Sequence, residues 1–465
     1  MEKRDAAAVR ALITDTNVNA AQPDGMTALH WAARHDDLNT AKALLAAGAS
    51  ATAQNRYGVT PLSLACVNGS AAMITLLHQA GADPNAPLRG GETPLMTAAR
   101  TGKLDAVKAL LVRGVDVNAR LPQGQTALIW AAAEGHRAVV DTLLAAGADF
   151  RTPLDSGFTP MLFAARAGHT AIVQALLKAG VDVNEATKPA KPAAKGPRKG
   201  TTALILAIEN GHFELASLLL DLGADPKDMR SGYTPLHVLS WVRKADRGED
   251  ENGLPEPEGS GSVSSEQLIR KLVASGAEVN ARLNGGPSGG GRIARKGCTP
   301  FMMAADTADT PYMKLLLELG ADPTIPNAEG CTPIMAAAGL GTRTAEEEAG
   351  TEEEAIEAIE YLLGLGADIN AVCPERGDTA MHGAAFANFP KVVKFLDAKG
   401  AKIEVWNQKN KRGWTPLLIA EGHRYGNFKP SFETIAAIKE LMLAHGITPP
   451  PPTPQVAVKG YEAPN

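Results

Sequence analysis

The sequence predicts an all-α repeat solenoid built from helix–turn–helix units, on three observations. A glycine two positions ahead of a threonine recurs at Gly25, Gly58, Gly91, Gly124 and Gly157, each 33 residues after the last, and continues at Gly200, Gly232, Gly297, Gly330, Gly377 and Gly413. A second glycine, following Leu-Leu or its equivalent, keeps phase with the first at Gly48, Gly81, Gly114, Gly147, Gly180, Gly223, Gly276, Gly320, Gly366, Gly400 and Gly446. The chain of 465 residues is 45% hydrophobic but only 5% aromatic, its apolar content being mostly Ala and Leu. That composition suits small helices packed closely side by side. A fixed period of this length marks units that bury their apolar faces against their neighbours.

Each element of the unit has a physical reason. In Thr60-Pro61-Leu62 the threonine hydroxyl is placed to cap a first helix, and the proline takes the first helical position, where no N–H is needed. Thr-Pro recurs at Thr93, Thr159, Thr234, Thr299, Thr332 and Thr415, and alanine, the best helix former, replaces the proline at Ala28, Ala127, Ala203 and Ala380. Paired alanines such as Ala98-Ala99 let neighbouring helices approach. Gly-His at Gly135-His136, Gly168-His169 and Gly211-His212 turns the chain into a second helix. There Val139, Thr142 and Leu143 follow helical spacing, and each core leucine contributes about 1.5–3 kcal/mol. The closing glycine takes the left-handed position after the helix, and Ala-Asp-x-Asn leads into an outward turn.

Thr27-Ala28-Leu29-His30, Thr234-Pro235-Leu236-His237, Gly147-Ala148-Asp149 and Val181-Asp182-Val183-Asn184 resemble the ankyrin-repeat family, as in bacterial multi-repeat ankyrin proteins, over about residues 3–447. The resemblance implies a stack of helix pairs with β-hairpin fingers. It also implies a concave palm of fingers and first helices that binds proteins.

The register divides the chain. Residues 1–24 read as a partial or capping repeat, 25–184 as five regular repeats, 185–199 as a basic finger insertion, 200–447 as six repeats with insertions, and 448–465 as a Pro-rich tail. Within the six, 243–264 and 341–354 are acidic elbow insertions, 281–296 is Gly-rich and basic on a finger, and 423–432 is a further elbow. The basic fingers carry Lys188, Lys191, Lys195, Arg198 and Lys199, then Arg282, Arg292, Arg295 and Lys296. The acidic elbows carry Glu249, Asp250, Glu251, Glu256 and Glu258, then Glu346–Glu348 and Glu352–Glu354. The expectation is solvated loops, positive at the fingers and negative at the elbows. The chain reads as beginning mid-repeat, with either a minimal cap or an upstream segment removed; no apolar signal segment is present, and the compartment stays open.

Several chemistries find no support. The net charge of −5 commits the chain to neither nucleic acid nor membrane, and no apolar run reaches 18 residues. The four cysteines, Cys66, Cys298, Cys331 and Cys373, form no C-x-x-C pair. Cys298 and Cys331 occupy equivalent places in adjacent repeats, about 10 Å apart, beyond disulfide reach. Seven of ten histidines fall at the Thr-x-x-His place or near the Gly-His turn and read as structural; no catalytic motif, metal set or cofactor motif occurs.

The expected function is a non-catalytic protein-binding scaffold. Variable palm positions supply Arg34, Arg56, Tyr57, Arg89, Arg100, Arg120, Phe158 and Arg166, and further along Tyr233, Trp241 and Trp414. Arg and aromatics are the residue types of binding hot spots, and Arg forks suit carboxylates. Trp31, Trp130 and Phe163 share a first-helix column that reads as framework. The expected partner is a protein with acidic groups, of undetermined identity. Two alternatives remain: salt-dependent self-assembly of basic fingers on acidic elbows, and binding of nucleic acid or another polyanion, which the net acidity disfavours. The oligomeric state is open.

Overall fold

The computed structural model describes residues 18–190, 198–246, 259–285, 293–345, 347–424 and 429–451. The partial repeat over 1–17, the middle of the first basic finger, most of the acidic run 247–258, the glycine run 286–292, Glu346, residues 425–428 and the tail from 452 lie outside the described residues.

The chain forms two compact units, Met1–Ala207 and Ile208–Asn465. In the first, helix pairs follow in the expected phase: Ala28–Arg34 with Leu38–Ala46, Pro61–Asn68 with Ala71–Gln79, Pro94–Arg100 with Leu104–Leu111, Ala127–Ala133 with Arg137–Ala145, and Pro160–Arg166 with Thr170–Lys178. First helices pack on first helices in succession, and second helices on second helices. The helix Ala203–Glu209 spans the division. In the second unit Phe213–Asp221 is followed by the pairs Pro235–Arg243 with Ser265–Ala274, Pro300–Asp306 with Thr310–Glu318, Pro333–Ala337 with Glu352–Gly364, Ala380–Ala387 with Pro390–Ala398, and Pro416–Ala420 with Phe432–Ala444. The core of each pair is the expected one: the paired alanines Ala98, Ala99, Ala131 and Ala132 and the second-helix leucines Leu77, Leu110, Leu143 and Leu176 are all buried.

The capping threonines act as their place predicts. The Thr60, Thr93, Thr126, Thr159 and Thr299 hydroxyls accept from the backbone N–H three residues on, each cap contributing about 1 kcal/mol. The Thr-x-x-His histidines join repeats. The Thr234 N–H donates to His237 Nδ1 at 3.3 Å, so that nitrogen is unprotonated; Nε2 then carries the hydrogen and donates to the Cys298 carbonyl of the next finger at 3.1 Å. His30 does the same toward Val59 at 3.0 Å. Burial pushes His237 down to about 4, keeping this neutral form.

At the elbows, the ring of one repeat's turn histidine lies against the preceding repeat's turn glycine. His136 Nε2 reaches the Arg100 carbonyl at 3.0 Å, and a Cβ on Gly102 (φ +69°) would lie 2.6 Å from that ring. Side-chain bulk and left-handed backbone both demand glycine there. On the outward turns, Asp116 accepts from the Asn118 N–H at 2.9 Å, while the Asn118 side chain bridges to the Gly147 carbonyl and the Asp149 N–H of the next repeat. Asn280 and Asn370 repeat the bridge. Where lysine replaces the asparagine, Lys227 pairs with Glu278 at 3.5 Å instead.

Two expectations need correction. The fingers are not β-hairpins: among the described residues there are only isolated bridges, Ala21 with Thr27 and Ala186 with Thr202. Each finger closes with one or two turn bonds, such as Asn55 N–H to the Val59 carbonyl at 3.0 Å, before the chain enters the next helix. A ladder has no length in which to form. The finger after Gly400 even contains a short helix, Ile403–Trp406, with Trp406 buried.

The acidic elbow 341–354 is not a free loop. Glu352, Glu353 and Glu354 form the first turn of the helix Glu352–Gly364, where the helix dipole favours carboxylates. Glu354 pairs with Lys244, Glu353 with Lys391 at 2.5 Å, and Glu352 accepts from the Lys391 N–H. In the elbow 243–264, the described part packs back on the preceding elbow, with Ser260 bonded to His212 at 2.9 Å and the Ser262 N–H to Glu214 at 2.9 Å.

Candidate protein-interaction site

In alternate repeats of the first unit the first helix ends in arginine at its elbow end, and the Arg100 side chain reaches back to Glu92 of its own finger. Arg34, Arg100 and Arg166 are each the last residue of a first helix. Each guanidinium lies over an aromatic ring: Arg34 over Trp31 at 5.4 Å from the ring centre, Arg100 over Trp130 at 5.8 Å, and Arg166 over Phe158 at 5.9 Å. A ring face attracts a cation through its quadrupole, by about 0.5–1 kcal/mol at exposed sites. It also fixes a long side chain that would otherwise lose entropy on binding.

The neighbouring groups differ. Arg100 Nη2 donates to Glu92 Oε1 at 3.2 Å, and the Thr97 hydroxyl donates to the same oxygen at 2.8 Å. Arg100's carboxylate neighbour is thus on its own finger. Trp31 Nε1 donates to Gln22 at 3.1 Å, which sets the ring under Arg34.

On the fingers, Arg56 lies over Tyr57 at 4.7 Å, and Tyr57 is 60% exposed, an open aromatic at a finger tip. Arg89 is exposed, its stem against Gly58 of the preceding finger. Arg120 donates to the Thr152 carbonyl at 3.2 Å and sits 3.8 Å from Asp149. Phe158 corrects an expectation: it is 3% exposed, packed on Phe163 at 4.8 Å beneath Arg166, so it is a floor and not an open contact. Conversely Trp31, Trp130 and Phe163, read as framework, are only half-buried, and Trp31 and Trp130 lie under Arg34 and Arg100.

In the second unit Tyr233 meets Trp241 edge-on at 5.1 Å, and its hydroxyl donates to Glu209 at 3.1 Å. Arg295 lies over Trp241 at 5.9 Å and Arg412 over Trp414 at 5.6 Å, while Trp414 packs edge-on against Phe386 at 6.5 Å. Arg295 and Arg412 were not among the expected contact residues. Their signal was arginine three or four residues before the capping threonine, in two fingers that also carry insertions or extra residues.

The arrangement presents cations and aromatic faces. Among the described residues, no group of three His, Cys, Asp or Glu could hold a metal ion, and no helix is long and apolar enough to cross a membrane.

Stacked helix pairs with turn-like fingers define a class, the repeat proteins that interact through a face assembled from many units. The family model described as "Ankyrin repeats (3 copies)" matches residues 1–88, 95–187 and 164–244, with further ankyrin-repeat matches at 296–328 and 350–396. The chain belongs to the ankyrin-repeat family, whose repeats are in general protein–protein interaction modules. It is similar to human "SH3 and multiple ankyrin repeat domains protein 2", 32% identical over 245 residues, covering 48% of this chain and 11% of that one. It is also similar to mouse "Ankyrin repeat domain-containing protein 63", 36% identical over 154 residues, covering 32% of each chain. The human ASB11 ankyrin repeat domain crystal structure aligns with 57% of this chain and 100% of its own, at 22% identity and TM-score 0.44. The chain thus spans a minor part of these curated relatives.

Proposed function

We propose that the protein is a non-catalytic binding scaffold whose first unit holds a partner protein segment bearing acidic groups. The observation that carries this reading is the repeated stacking of Arg34, Arg100 and Arg166 on aromatic rings at one place in alternate repeats. Alternate repeats are about 20 Å apart at helix-packing spacing, the length of roughly six residues of extended chain. Carboxylates at about that spacing would meet all three guanidinium forks, and the exposed Tyr57 would add apolar area. Self-assembly of fingers on elbows draws no support, because Glu353 and Glu354 already have lysine partners within the second unit.

The test is charge reversal. Peptides selected from a random library on the folded protein should be acidic and should bind less tightly as salt rises. Arg34→Glu, Arg100→Glu and Arg166→Glu combined should weaken their binding by tenfold or more with the helical signal unchanged. Equal binding by the triple variant would reject the site.

A further inference from the structure

Two cysteines of the second unit stand in a register that brings side chains of neighbouring fingers together. The first position of that register is the residue just before a capping threonine. The second is the residue of the next finger whose N–H closes that finger. Met26 and Asn55 hold these places in the first unit, with Asn55 Nδ2 3.5 Å from Met26 Sδ. Asp378 and Asn410 hold them in the second, with Asn410 Nδ2 donating to Asp378 Oδ1 at 2.7 Å. Cys331 and Cys373 are the corresponding pair: Cys331 precedes Thr332, and the Cys373 N–H closes its finger on the Asp378 carbonyl at 2.8 Å.

The local contacts agree. Cys373 Sγ donates to the Glu329 carbonyl at 3.2 Å, the Glu375 N–H reaches the same carbonyl at 3.3 Å, and a Cβ on Gly330 would lie 2.6 Å from Pro374. This register sets the two thiols close enough for each to shift the other's acidity. Cys298, the repeat-equivalent of Cys331, faces the register of Asn327 instead and bonds to the Ala294 carbonyl at 3.4 Å. All four cysteines are free and buried.

We propose that Cys331 and Cys373 form a reversible redox site, closing to a disulfide that ties two neighbouring fingers together when the protein meets a peroxide. The Cys373 thiolate attacks one peroxide oxygen; the O–O bond breaks, leaving a sulfenic acid and a hydroxide that takes up a proton as water. The Cys331 sulfur then attacks the sulfenic sulfur, the S–O bond breaks, the S–S bond forms, and a second water departs. Two thiols lose two hydrogens, and one hydrogen peroxide becomes two waters. The order of attack follows from the surroundings. The nearby Cys331 holds the Cys373 thiol below the ordinary range, with Arg376 assisting against burial, and Cys373, with burial, pushes Cys331 up. Thiolate character selects the sulfur that reacts first. Because both side chains are buried, the step waits on opening of the finger around Pro374.

The experiment treats the folded full chain with hydrogen peroxide, quenches it with catalase, alkylates in denaturant and maps the peptides. The expected result is loss of two hydrogen masses, alkylation of Cys66 and Cys298 only, a crosslinked peptide joining Cys331 to Cys373, and full reversal by dithiothreitol. The Cys66→Ala, Cys298→Ala double variant should give the same crosslink. Four alkylated cysteines, a crosslink involving Cys66 or Cys298, or independent oxidation of each sulfur to sulfonic acid would overturn it. The mapping on the unaltered chain decides the matter even if Cys331→Ala or Cys373→Ala folds poorly.

Discussion

Over residues 25–184 the first unit keeps one repeat length, the second unit does not, and charge is placed differently in the two. In the first unit Arg100–Glu92 and Arg120–Asp149 lie on the finger side, and Arg137–Asp141 lies within one helix. In the second unit charge joins successive second helices: Lys271 to Asp221, Arg270 to Glu318, Lys314 to Glu357, Lys399 to Glu360, and Lys394 to Glu440. It also holds a buried pair in which Arg243 Nε and Nη2 donate to Asp309 at 2.8 and 3.1 Å. Where the elbows are interrupted by insertions, ion pairs tie neighbouring repeats of the second unit together. Where the repeats are regular, Arg34, Arg100 and Arg166 close their first helices and lie over aromatic rings.

The largest test of that contrast is the buried pair. Asp309→Ala removes the partner of a mostly buried guanidinium and the cap on the Tyr312 N–H, so urea unfolding of the second unit should lose about 3–5 kcal/mol. A loss under 1 kcal/mol would show that the pair is not what holds these repeats.

Acidity should act on the units with opposite sign. His237 has a folded pKa of about 4, below its ordinary 6.5, so its contribution is full above 6.5 and is lost as pH falls toward 4. That amounts to about 3 kcal/mol. In the first unit burial raises Glu185, bonded to the Thr159 hydroxyl, to about 7. Its stabilisation is present below 4.5 and fades as pH rises through 7. Hydrogen exchange by segment at pH 5 and 7.5 should therefore show faster opening around His237 at pH 5. Glu185→Gln should flatten the pH response around Thr159. Equal responses in both segments would contradict the assignment.

Gly102→Ala comes next. It forces a Cβ toward the His136 ring at a left-handed position and should cost about 1–3 kcal/mol. Gly114→Ala, with φ +68° but open space around it, should cost less, from backbone strain alone. The smallest effect belongs to the exposed charge ladder. Glu318→Gln should leave thermal unfolding at physiological salt unchanged, because an exposed pair is screened.

Much of this was readable from residue order. The glycine and capping-threonine markers placed every described first helix, because a capping threonine followed by proline or alanine is a local signal that neighbours do not alter. The alignment of Arg34, Arg100 and Arg166 followed from the same count. What lay beneath them did not follow. Whether Trp130 is framework or a platform for Arg100 depends on the side chain of another repeat, and Phe158 is buried because Phe163 lies one turn on across the finger. The acidic elbow looked free because its lysine partners, Lys244 and Lys391, are distant in sequence.

The sequence by itself determined the repeat, its caps, its glycines and the side of the unit on which arginine accumulates, since these follow from short-range backbone chemistry repeated eleven times. Only the tertiary structure decided which repeats touch through charge, which thiol meets which, and which aromatics stay open. Those contacts join residues 29 to 110 positions apart, and insertions of uneven length carry them out of any count along the chain.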